Sequence, residues 1–245
     1  MRFFSTGLCL LFLTVGTLHA HTIWILPSDK GDSARIVWND PLEADNVDER
    51  LDTIAKAEVL LRHADGRVET LKWKQDKDVY RVSCPGTGLR TLVVLWNDDR
   101  DFTGGTLRTT VAKAYLPDPA GKAPLPAQEL SWDKLSLEIV PRPKRGVDVY
   151  QLLSKGQPVA KRVVIPEIPE ETWELFSKVE QKELSRRRYP DKDGWFTYPT
   201  PKPGLYGLRV PSFMVDEEGE YQGKKFTRRV HFITLVIQVP AAKKD

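Results

Sequence analysis

The chain has 245 residues, and its 37 Lys and Arg against 34 Asp and Glu leave a formal net charge of +3. So small a surplus, with both signs interspersed, argues against a nucleic acid or an anionic bilayer as partner. The length allows one large or two small domains with real cores.

Residues 1–20 read as a secretory signal peptide: Arg2 forms the basic start, residues 3–18 are mostly apolar, and Leu18-His19-Ala20 offers a cleavage site. Cleavage after Ala20 would make His21 the first residue of the mature chain. A first-position His offers an α-amine and a ring nitrogen to one ion, a compact chelate suited to copper, nickel or zinc. The mature protein, residues 21–245, is then expected in the periplasm or outside the cell. Cys9 leaves with the signal, so Cys84 has no intrachain disulfide partner. No later segment approaches the roughly 20 apolar residues of a bilayer span.

Short β-type runs follow, at residues 22–26, 34–38 and 57–62. Ala64-Asp65-Gly66-Arg67 reads as a hairpin turn into 68–73. Runs at 79–83 and 89–96 are joined by Pro85-Gly86-Thr87-Gly88, and 109–116 makes a last strand. This spacing predicts a β-sandwich over residues 21–116. Residues 117–128 hold Pro117, Pro119, Pro124 and Pro126, a density that no central strand tolerates, and are assigned as a linker.

A second β-series occupies residues 129–245, with runs at 135–140, 147–153, 159–165, 194–198, 204–210 and 229–239. Lys155-Gly156-Gln157-Pro158 supplies one hairpin turn. Residues 170–188 break the pattern, with acids first, basics last and no internal Gly or Pro, an order that suits the helix macrodipole. Trp173, Phe176, Val179 and Leu184 give a loose apolar stripe, so one inserted helix is expected to cover a sheet. The fold class is therefore all-β: two β-sandwich domains with one inserted helix in the second.

Several motifs, in order, resemble those of a family of exported bacterial β-proteins classed as a domain of unknown function and associated with nickel and cobalt uptake. Ala20-His21-Thr22-Ile23-Trp24-Ile25-Leu26-Pro27 is similar to the family's start. Ala112-Lys113-Ala114 resembles its Ala-Lys strand, and Gly156-Gln157-Pro158-Val159 its Gly-x-Pro hairpin. Asp191-Lys192-Asp193-Gly194-Trp195-Phe196 and Lys202-Pro203-Gly204-Leu205-Tyr206 resemble an Asp-Gly-aromatic and Pro-Gly-x-Tyr signature shared with transthyretin-like, carboxypeptidase-regulatory-like domains. The resemblance implies immunoglobulin-like or transthyretin-like sandwiches, a metal role and no established catalytic mechanism. It carries over His21 and His231 as candidate ligands for nickel, cobalt or copper, with a membrane metal transporter as partner.

Three histidines remain after cleavage. His21 is the strongest ligand, because its chelate needs no other residue. Alternation places His231 on one strand face with Ile233, Leu235 and Ile237, where a packed imidazole is the commoner outcome. His63 sits at the lip of a hairpin turn and is expected to be exposed. A shared site would bring His21 and His231 within about 5 Å, given metal–nitrogen bonds near 2 Å. A copper histidine brace, the oxidative-enzyme version, would also need an open copper position. Asp40, Glu43, Asp45, Asp48 and Glu49 in one loop, and Asp98, Asp99 and Asp101 in another, are oxygen donors of the calcium type, without a Gly-spaced ladder. Asp191 and Asp193 read as turn residues, and nothing marks Cys84 as a nucleophile. No nucleophile elbow, phosphate loop or zinc-binding Cys pair is present, so no enzyme class is assigned. The alternative is a non-catalytic β-sandwich binding a glycan or an envelope protein, with Trp38, Trp132 or Trp195 exposed on a flat surface.

Overall fold

The computed structural model describes residues 22–39, 42, 51–77, 79–98, 105–118, 132, 135–142 and 148–239. The expected signal peptide, His21, most of the 40–49 acidic loop and residues 119–128 of the expected linker lie outside them. The described chain forms three stacked β-sheets, an all-β sandwich architecture, with two short helices.

The first outer sheet is made by β1 (Thr22–Pro27), β2 (Ser33–Asn39), β5 (Trp73–Asp76) and β6 (Val79–Ser83), in the order β1-β2-β6-β5. The central sheet takes β3 (Glu58–Arg62), β4 (Val68–Thr70), β7 (Arg90–Asp98), β8 (Thr106–Leu116), β12 (Ile165–Glu167), β14 (Gly204–Tyr221) and β15 (Lys224–Val239). Its order is β12-β14-β15-β8-β7-β3-β4. The second outer sheet has β10 (Val149–Ser154) at its centre, flanked by β9 (Glu138–Pro141) on one side and by β11 (Gln157–Pro158) and β13 (Trp195–Thr197) on the other.

Alternation along the central strands decides which side chain enters which core. On β7, Leu92, Val94 and Trp96 face the first outer sheet, while Val93 and Leu95 face the second. On β8 the same division sends Ala112, Ala114 and Leu116 one way and Val111 and Tyr115 the other. Both faces being covered explains why these strands read as nearly unbroken apolar runs. β1 lies across β8 and β15, where the Thr234 hydroxyl donates to the Ile23 carbonyl at 2.6 Å. On the far side, Ile139, Tyr150, Leu152 and Phe196 pack against Ile233, Leu235 and Ile237.

The sequence halves on either side of residues 117–128 are joined within one sheet. β8, from before that stretch, pairs in parallel with β15, from after it, from Thr106↔Arg228 to Ala114↔Val236. A hairpin cannot make a parallel pair, so the connection must be long.

Four local expectations change. The run 68–73 is two strands: the chain leaves the central sheet after β4 and enters the first outer sheet as β5. Residues 159–165 are mostly irregular, closed by a bridge between Val164 and Arg188. The single helix over 170–188 is two, α1 (Glu170–Trp173) and α2 (Lys178–Leu184). Ser177 starts the second with a capping box, its hydroxyl accepting from the Glu180 amide while the Glu180 carboxylate accepts from the Ser177 amide. Phe176 and Leu184 are buried, but Val179, expected in the stripe, is 81% exposed, because the break at 174–177 resets the helical phase. Finally, the strands expected at 204–210 and 229–239 extend into a long hairpin arm paired out to Tyr221↔Lys224. Gln222 and Gly223 turn it with φ of 51° and 77°, the two positive values that a type I′ turn needs.

Candidate functional site

β1 begins at the residue after His21. Thr22 is buried and lies opposite Asn39. Ile23 and Trp24 have no exposed surface, and the ring of Trp38, opposite Ile23, meets Trp96 edge-on at 4.9 Å. The end of this strand is thus held by sheet pairing, by aromatic packing and by the Thr234 hydrogen bond. His21 itself lies outside the described residues, as do Asp40, Glu43, Asp45, Asp48 and Glu49.

His231 sits in β15 between Phe213 of β14 and Thr109 of β8. Its face is the expected one, shared with Ile233, Leu235 and Ile237, and its ring is buried. Nδ1 meets the Ser136 hydroxyl at 3.0 Å. Burial, and then the Arg229 guanidinium, push its pKa down to about 4, so the imidazole is neutral at pH 7. That face is covered by the second outer sheet, whereas β1 covers the opposite face of the central sheet. A polar network continues beside it: the Thr109 hydroxyl donates to Asn97 Oδ1 at 2.7 Å, Arg229 reaches Thr109, and Glu217 accepts from both Arg229 and Lys155.

His63 corrects the expectation of exposure: it is buried, with Nε2 3.6 Å from Glu69 Oε1. The turn at Gly86 folds against its ring, close enough that a Cβ on Gly86 would come within 3.1 Å. Cys84 is buried and its thiol is pushed up to about 12 by desolvation, which leaves no thiolate for nucleophilic work. Among the described residues, no group of three or more His, Cys, Asp or Glu is placed to hold a metal ion. The flat aromatic platform of the glycan-binding alternative is also missing from its expected places. Trp38 and Trp132 are buried in the two cores, and Trp195 is half-buried beside Arg142.

The Asp-Gly turn behaves as turn chemistry. Asp191 Oδ1 accepts from the amides of Asp193 and Trp195, both at 2.9 Å. Gly194 has φ 77°, and a Cβ there would stand 2.6 Å from the Leu152 carbonyl, so only glycine fits. Tyr206 of the Pro-Gly-x-Tyr motif is fully buried and donates its hydroxyl to the Lys202 carbonyl at 2.7 Å.

One buried pair was not anticipated from sequence. Lys113 Nζ lies 2.8 Å from Glu138 Oε2, and neither side chain reaches solvent. Both Glu138 oxygens also accept from the Trp132 amide, at 3.0 and 3.1 Å. Burial pulls the Lys113 pKa down, while the Glu138 carboxylate opposes that shift. Tyr115, under the ammonium at 5.0 Å, keeps a buried hydroxyl with no hydrogen-bond partner among the described residues. The signal for this pair was a lysine inside an otherwise apolar strand.

Compared with protein families, residues 18–212 match the family described as "Domain of unknown function (DUF4198)". A search among curated proteins gives no match.

Proposed function

The chain belongs to the DUF4198 family, and on that premise we propose that it is an exported metal-binding accessory protein. In this reading cleavage after Ala20 frees His21. Its α-amine and imidazole then hold a divalent transition metal, nickel, cobalt or copper, for delivery to a membrane metal transporter. The reading rests on the firmness of β1, which is paired, buried and bonded from the very residue that follows His21. A chelate attached to a fixed strand loses less freedom on binding than one on a free tail.

Two further points support it. The family match starts at residue 18, so it includes the Ala20-His21 junction. The Thr22–Asn39 pair is the last described rung of β1 and β2; in sequence His21 comes just before Thr22 and Asp40 just after Asn39. Asp40 is the first acidic residue after β2 in the sequence. His231 is assigned to packing and kept out of the metal site, because its ring lies across the central sheet from β1. The immunoglobulin-like or transthyretin-like character of the second half, which the resemblance implied, belongs to the same proposal. The buried Tyr206 hydroxyl and the Asp191 turn speak for it.

The test begins by expressing the full precursor and reading the mature N-terminus by mass spectrometry. Metal-free protein is then titrated with nickel, cobalt, copper and zinc, following tryptophan fluorescence, beside a version carrying one extra N-terminal Ala. The extra residue is expected to weaken binding by more than about tenfold, or 1.4 kcal/mol. Asp40→Asn should weaken it less. Binding indifferent to the extra Ala, or a mature N-terminus elsewhere, overturns the proposal.

A further inference from the structure

We propose that the exposed face of the first outer sheet binds an acidic polysaccharide. The cross-strand register sets Lys74 of β5 opposite Arg81 of β6, and Arg81 opposite Arg35 of β2. Three cations thus stand abreast on one sheet face, on strands spaced about 4.8 Å apart. Like charges directly opposite one another destabilise a sheet. Lys72, just ahead of β5, adds a fourth cation. Asp76 answers Arg81, but Arg35, Lys72 and Lys74 have no ion-pair partner among the described residues.

These side chains line an open groove of about 770 Å³, where the described residues set four cations against the two carboxylates Asp29 and Asp76. Ser33 and Ser83 line the same space, the Ser33 hydroxyl donating to Asp32. Arg35, Arg81 and Lys74 are carried by paired strands, so the array is fixed in spacing before any ligand arrives.

The chemistry narrows the occupant. A row of cations repels a metal ion, so this site is separate from the proposed chelate and shares no residue with it. Its linear form suits a chain with negative groups at intervals better than one small anion. Among the described residues no aromatic side chain lines the groove, and single-stranded nucleic acid sites depend on aromatic stacking. The serine hydroxyls match the hydroxyls of sugars, and the cations match carboxylates borne on successive sugar units. The charged row takes the place of the aromatic platform that the glycan alternative required.

The test uses affinity electrophoresis of the full mature protein through gels holding polygalacturonate or neutral dextran, at low and high salt. Retardation by polygalacturonate alone, weaker in high salt, is the expected result. The Arg35→Gln/Lys74→Gln double variant should lose about tenfold in affinity. Lys74→Gln alone should melt no lower than the parent, since it removes repulsion, which guards against a folding artefact. Three results would each overturn the proposal: no retardation by polygalacturonate, retardation unchanged in the double variant, or equal retention by single-stranded DNA, a general polyanion response.

Discussion

Lys113 and Glu138 meet at 2.8 Å with no solvent at either charge, between the central sheet and the second outer sheet. Removing one partner leaves the other charge buried without its counter-ion at 2.8 Å. Lys113→Met should therefore cost about 3–5 kcal/mol in urea unfolding, whereas Lys113→Met combined with Glu138→Leu should recover most of that loss. His231 gives a pH signature. Its folded pKa of about 4 lies below the unfolded value near 6.5. Between those values the unfolded chain binds the extra proton, so stability falls as pH drops through the window, by on the order of 3 kcal/mol in all. In His231→Gln that part of the slope should vanish from denaturation midpoints taken across pH 4–7. The face of His231 was legible, because alternation within one strand is a local property. The partner of Lys113 was not, since Glu138 arrives from another sheet, 25 positions later in the chain. His63 misled because its burial comes from the turn at Gly86 closing over it, a contact that local sequence does not encode.

Among the elements, α2 depends on its start. The capping box at Ser177 satisfies amides that seven residues cannot pair within the helix. Ser177→Ala should cost about 1 kcal/mol and speed hydrogen exchange across 178–184. Gly194→Ala should be worse, above about 2 kcal/mol, as it meets both a positive φ and a carbonyl already in contact. Thermal melting followed by circular dichroism would rank the two. In the outer sheets β1, β2, β6, β10 and β13 were readable from apolar runs and turn residues, whereas β5 was merged with β4 and β11 was taken for part of a turn. The hairpin arm was not readable: its residues 211–228 are mostly polar or charged, with Phe226 buried outside the two cores, so backbone pairing more than core burial extends it. The split helix was hidden for a related reason, as charge order marks the ends of a helical stretch but not a break inside it.

For the whole molecule, the parallel seam between β8 and β15 sets the expectation of one unfolding transition. Tryptophan fluorescence and far-UV circular dichroism should fall together in urea, and residues 21–118 expressed alone should show no cooperative transition. Separate melting of the two halves would contradict a shared central sheet. The all-β class was plain from composition and spacing. The nearly unbroken apolar stretches at 92–96 and 111–116 mark strands covered on both faces, although no third layer was read from them. Those stretches identify a doubly buried strand without saying whose sheet lies beneath or above it.

The seam also orders events in time. β8 has β7 on one side but lacks its other neighbour until residues 224–239 exist, so a chain synthesised only as far as β14 still holds an open central sheet. The last strand of the sheet thus acts as a latch, since the two sequence halves are tied into one sheet only when β15 takes its place between β14 and β8.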